Sequence, residues 1–169
     1  NKMSKSKNIL IRKNKDVIVI TYFLQGLLSM SDPEQKPIFL PVDVDDKVLG
    51  ESVKEALLKS REIPLDEFYK IFNSGEVQLF SKKIEQQLQE HFGYKSRKAI
   101  YNTMDFLSVD MEEVFSIVPN HQDSLDGYTA VKKKDGTAIE FEYSLEISDE
   151  ELGMKIREAF KYCTSIYRK

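Results

Sequence analysis

"VDDKVLGESVKEA" at residues 44–56 and "ISDEELGMKIREA" at residues 147–159 lie far apart in the chain, yet they align without a gap. Asp46/Asp149, Leu49/Leu152, Gly50/Gly153, Glu55/Glu158 and Ala56/Ala159 are identical, and Val44/Ile147, Val53/Ile156 and Lys54/Arg157 keep their chemical type. Each copy follows a stretch that reads as extended, "PIFLPVDV" in the first and "AIEFEYSLEI" in the second. Each then enters a helix. Asp45 is placed to cap the first, and Ser148 with Glu151 forms an S-x-x-E capping box for the second. Leu49, Val53, Ala56, Leu57 and Ser60 correspond to Leu152, Ile156, Ala159, Phe160 and Cys163, with the i, i+4, i+7, i+8, i+11 spacing of one helix face. Glycine inside a first turn costs about 1 kcal/mol relative to alanine. Its repetition at Gly50 and Gly153 predicts that each helix start lies close against another backbone.

Outward from this joint, residues 9–24 read as two strands joined by a turn near "KNKD". The segment "GYTAVKKKDGTAIEFEYSLEI" reads as a hairpin. A three-residue loop with Gly136 in a left-handed position pairs Lys133 with Thr137, Val131 with Ile139, Thr129 with Phe141 and Tyr128 with Glu142. That register leaves one face for the core and one wet and acidic. "PLDEFYKIFNS" and "SKKIEQQLQEHFGY" read as helices, the second ending at Gly93, and residues 97–104 and 112–118 read as strands. Strands and helices mix without strict βαβ alternation. The expected fold class is therefore α+β, with a mainly antiparallel central sheet flanked by helices and containing two similar strand-to-helix units.

The 169 residues suffice for one domain with a real core. We expect residues 8–169 to form it, behind a flexible basic tail at 1–7. A single cysteine, Cys163, makes an internal disulfide impossible, so a reducing cytoplasm is the expected compartment. The basic start followed by "VIVITYFLQGLL" superficially resembles a signal peptide. However, Asp16 abuts the apolar run, no A-x-A site follows, and the run is short of the roughly 20 residues a bilayer span needs.

Catalytic patterns are missing: the sequence has no phosphate-binding glycine loop, no cysteine pair, no G-x-S-x-G and no H-E-x-x-H. His91 stands at a helix end. His121 stands beside Asp123 with no identifiable nucleophile. "VDVDD" and "SDEE" complement helix dipoles, and no compact acidic loop offers a metal its oxygen ligands. No enzyme, cofactor or metal is expected.

Charge is more informative. Residues 105–154 hold 13 acidic residues against 3 lysines, whereas residues 1–15 hold 6 basic residues and no acid. A polarised surface of this kind favours a basic partner. The candidate contacts are Asp110, Glu112, Glu113, Asp123, Asp126, Glu140 and Glu142. The alternative is a small nucleic-acid-binding domain using segment 82–101, where Lys82, Lys83, Lys95, Arg97 and Lys98 mix with Phe92, Tyr94 and Tyr101. The overall acidity opposes it, because phosphate neutralisation dominates nucleic-acid affinity.

The repeated "LG" joint, the opening hairpin and the closing "LDGYTAVKKKDGTAIEFEYSLEISDEELGMKIREAF" resemble immunity proteins of bacterial contact-dependent growth inhibition systems, the CdiI type. The resemblance spans most of the chain, and its one sharp motif is D-x-x-LG-x-x-[VI]-[KR]-EA. It implies a single cytoplasmic α+β domain that neutralises the C-terminal toxin domain of a cognate CdiA-type effector, with no membrane partner. It further implies a basic toxin, often a nuclease in such systems, and in some of them binding by strand addition.

Overall fold

The computed structural model describes residues 7–24 and 30–168; residues 1–6 of the expected tail lie outside the described part. The chain opens with β1 (Lys7–Lys13) and β2 (Val17–Leu24), an antiparallel hairpin pairing Ile11 with Ile20. Asn14 closes it, its Oδ1 accepting from the amides of Asp16 and Val17 at 2.8 and 3.1 Å. Two short strands, β3 (Met30–Ser31) and β4 (Ile38–Pro41), then share the outer edge of β2. Helix α1 (Asp46–Lys59) follows, capped by Asp45 Oδ1, which accepts from Val48 N at 2.8 Å.

After an excursion through α2 (Leu65–Ser74), α3 (Glu76–Phe92) and α4 (Arg97–Tyr101), the same order returns. Strands β5 (Asp105–Met111) and β6 (Val114–Gln122) form a hairpin. Strands β7 (Tyr128–Ala130) and β8 (Phe141–Ser144) share the outer edge of β6. Helix α5 (Asp149–Phe160) follows, capped by Ser148 Oγ, and β9 (Thr164–Ser165) pairs with β6 in parallel. The β1–β5 pairing is antiparallel, Leu10 opposite Ser108, so the halves are related by an approximate two-fold axis between these strands. The result is an α+β fold around one curled, mainly antiparallel sheet.

The twofold relation explains the repeated joint. Helices α1 and α5 pack together on one sheet face. A Cβ built at Gly50 would fall 1.8 Å from the carbonyl oxygen of Asp149, and one at Gly153 would fall 1.9 Å from that of Asp46. Each glycine therefore admits the backbone of the other helix start. The charged residues of the joint are reciprocal too. Lys54 reaches Asp149 at 2.8 Å and the Ile147 carbonyl at 2.6 Å, while Arg157 reaches Asp46 at 2.8 Å and the carbonyls of Val42 and Val44. At the far ends, Ser60 Oγ donates to the Asn8 carbonyl of β1, and Cys163 Sγ donates to the Phe106 carbonyl of β5. The core between helices and sheet is matched pairwise, with Ile9, Ile11, Ile18 and Ile20 from one half and Leu107, Val109, Phe115 and Ile117 from the other.

Two expectations are corrected. Residues 97–104 are not a strand: Ser96 Oγ accepts from Ala99 N at 3.2 Å and starts the short helix α4, whose Ile100 and Tyr101 fill the opposite core. The strand is instead Asp105–Met111, where adjacent Phe106 and Leu107 are both buried, one on each face, which masks the alternation. The hairpin tip forms as expected, with Lys133 N bonding Thr137 O at 2.8 Å, Ile139 N bonding Val131 O at 2.9 Å and Gly136 at φ 87°. Below the tip the arms part. Thr129 pairs with His121 and Phe141 with Ile117, because the nine-residue β6 offers one edge long enough for both arms, and there Phe141 and Tyr143 reach the core.

Candidate functional site

The sheet face away from α1 and α5 differs between its halves. In the first half Leu10, Val17, Val19 and Phe23 pack against Ile84 and Leu88 of α3 and Ile100 and Tyr101 of α4. In the second half, strand register sets Asn8, Asp110, Ser116 and Glu142 in one row and Leu10, Ser108 and Val118 in the next. Ser108, Asp110 and Val118 are half-buried and Glu142 is exposed, as is Glu140 beside them. This part of the sheet therefore keeps an open, acidic face.

Its electrostatics are unfavourable in the free protein. Partial burial, reinforced by Glu140 and Glu112, pushes the Asp110 carboxyl above the usual carboxylate range. Ser116 donates its hydroxyl to Glu140, giving that carboxylate one neutral donor. Among the described ion pairs none involves Asp110, Glu112, Glu140 or Glu142. A group of like charges of this kind is relieved by an incoming Lys or Arg.

Of the seven candidate contacts, the structure brings Asp110, Glu112, Glu140 and Glu142 together, with Glu113 beside Glu112 in the β5–β6 turn. Asp123 and Asp126 sit at the other end of β6, in the turn before β7. Asp126 is already held by Arg97 at 3.2 Å. Sequence reasoning missed Ser116 and Asn8, because without β5 nothing placed them beside Asp110.

The basic and aromatic segment does not make a nucleic-acid platform. Lys82, Lys83, Lys95 and Lys98 are exposed, but Tyr101 is 2% exposed and donates to Glu85 at 2.7 Å. The Tyr94 hydroxyl donates to Asp16 and accepts from Asn14, and Arg97 is shared between Glu85 and Asp126. Base stacking needs open rings, and of the three aromatic residues Phe92 alone is exposed. His121 Nδ1 lies 2.7 Å from Thr164 Oγ1, and neither it nor Asp123 lines the cavities beside Phe92, Lys83, Tyr162, Arg12 or Lys70. Burial pushes the Cys163 thiol up to about 11, which leaves it protonated and unreactive at neutral pH. Among the described residues no group of three or more His, Cys, Asp or Glu is placed to hold a metal ion, and no helix is long and apolar enough to cross a membrane.

A duplicated sheet with one helix-covered half and one open acidic half defines a small α+β protein equipped to receive a partner on its surface. The chain belongs to the CDI immunity protein family, whose sequence model matches residues 7–163. It is 24% identical over 180 residues to immunity protein CdiI-YPIII of Yersinia pseudotuberculosis serotype O:3 (strain YPIII), covering 96% of this chain and 98% of that protein. Two solved structures share the fold. A protein of unknown function from Neisseria meningitidis, NMB0488, matches with a TM-score of 0.85 and 22% identity over 96% of this chain and 98% of its own. A CdiA-CT/CdiI toxin and immunity complex from Yersinia pseudotuberculosis matches with a TM-score of 0.83 and 21% identity over 96% and 100%.

Proposed function

We propose that this immunity protein binds the C-terminal toxin domain of its cognate CdiA-type effector in the cytoplasm of the cell it protects, and neutralises it by binding, with no catalysis of its own. The observation that carries the binding mode is the open acidic face of Asp110, Glu112, Glu140 and Glu142, four carboxylates that enter no ion pair among the described residues. The complementary toxin surface is basic, as a nuclease that grips phosphates requires. Glu113 lies at the rim. Asp123 and Asp126 are secondary contacts, the latter because Arg97 already holds it. Membership of the family and a shared fold with a toxin and immunity complex support the reading.

The test is stopped-flow association with the toxin domain encoded beside this gene, using Glu140→Lys with Glu142→Lys. The double variant should associate roughly tenfold more slowly and lose part of the salt dependence, while Lys82→Glu with Lys83→Glu should not slow association. An unchanged rate and salt slope in the first variant would remove the acidic face from the binding mode.

A further inference from the structure

Unpaired polar groups are unevenly distributed in this molecule. Among the described residues four enclosed side-chain atoms have no hydrogen-bond partner, and three of them, Asn8 Oδ1, Arg12 Nε and Thr21 Oγ1, stand on one face of β1 and β2. They surround Leu10, at the seam where the helix-covered half of the sheet meets the open half. Buried polar groups are almost always paired, and an enclosed guanidinium donor without an acceptor is among the costliest exceptions. Arg12 as a whole is only half-buried, so a second molecule can reach the group and complete its bonding.

Arg12 lines a cavity of about 240 Å³ walled by Phe23, Ile84, Tyr101, Phe106 and Tyr128. This is below the roughly 300–1,000 Å³ typical of cofactor and small-molecule sites, and it suits a single side chain. Tyr101 and Tyr128 line the same cavity as Arg12, and the Arg12 charge opposes the rise that burial gives both hydroxyls. The neighbouring carboxylates are otherwise engaged: Asp126 on the cavity wall pairs with Arg97, and Glu85 takes both Arg97 and the Tyr101 hydroxyl.

We propose that this cavity is an anchor pocket for one Asp or Glu side chain of the bound toxin, whose carboxylate completes the hydrogen bonding of Arg12. A guanidinium presents a planar fork that matches a carboxylate with two parallel bonds. The inference rests on the toxin-binding reading and adds to it a register. The acidic face attracts a basic surface without fixing its position, whereas a single acid seated on Arg12 fixes where the two sheets of charge meet.

The test combines Arg12→Met and Arg12→Gln with a set of single Asp→Asn and Glu→Gln changes across the toxin domain, read by equilibrium affinity. Both Arg12 variants should weaken binding by about 30-fold or more, and one toxin acid should show the same loss. Adding that toxin change to Arg12→Met should cost little further. Arg12→Met should also unfold at a denaturant midpoint no lower than the wild type, since it removes an enclosed, unpaired donor. Unchanged affinity in both variants, or a loss that no single toxin acid reproduces, would overturn the pocket and leave toxin binding standing. A wild-type protein that does not bind the toxin would remove both.

Discussion

The two halves of this molecule run through the same elements in the same order and end in helices that grip one another through matched glycines. They diverge on one sheet face. Val19, Thr21 and Phe23 on β2 stand where β6 carries Ser116, Val118 and Asn120. Val19 and Phe23 of the first set pack against α3 and α4, and the second set borders the open acidic rows. The difference follows the insertion: where α2–α4 fold back, an apolar face is required, and where they do not, an apolar face would be an aggregation hazard. One scaffold thus has one half of this sheet face covered by helices and the other half left open.

The equivalence is most severely tested at the glycines. Gly50→Val and Gly153→Val should each lose about 3 kcal/mol or more in urea unfolding, because the intruding atoms meet backbone that cannot rotate away. A much milder loss at one of them would break the twofold description.

Asp32→Asn, in the first half, should cost about 2–3 kcal/mol, since Asp32 is fully buried and takes two bonds from Arg61 at 2.7 and 2.9 Å. Burial alone would raise this carboxyl, but the hydrogen bonds from Arg61, Gln35 and the Glu34 amide outweigh it and hold it below the usual range. Its contribution is therefore present above about pH 4 and lost as pH falls through the lowered folded value. Urea midpoints followed into acid should fall for the wild type and fall less for Asp32→Asn.

Smaller effects separate the two reciprocal ion pairs. Arg157→Met should cost about 2 kcal/mol, because Arg157 ties down Asp46 and two carbonyls, and Lys54→Met about 1 kcal/mol, because Lys54 holds Asp149 and one carbonyl. Equal losses would show that the second carbonyl contact adds nothing.

The smallest effect has the opposite sign. The raised folded carboxyl of Asp110 contributes stability below about pH 4 that is lost as pH rises through its folded value. At pH 7 Asp110→Asn should therefore stabilise the free protein slightly, by under about 1 kcal/mol, while weakening toxin association. A destabilised Asp110→Asn would make this carboxylate a structural group like Asp32 and erase the contrast between the halves.

The local chemistry of the chain was legible in its sequence. Caps at Asp45 and Ser148, the helix stripes, the Gly136 turn and the need for a close backbone at Gly50 and Gly153 all follow from interactions within a few residues or from a repeated pattern. So did the acidity of the second half and, through the repeated joint, the family. What no window of sequence contained was which strands are neighbours. Asp105–Met111 escaped notice because its two adjacent core residues face different layers, and 97–104 misled because a serine cap outweighed its strand-like look. Only the tertiary structure decided that each glycine receives the other helix, that Asp110 stands beside Ser116 and Glu140, and that Arg12 Nε is enclosed without a partner. The physical reason is that sequence records each residue's own preference, whereas burial, like-charge crowding and an unfilled hydrogen bond are relations between segments, and relations exist only after the sheet has chosen its order.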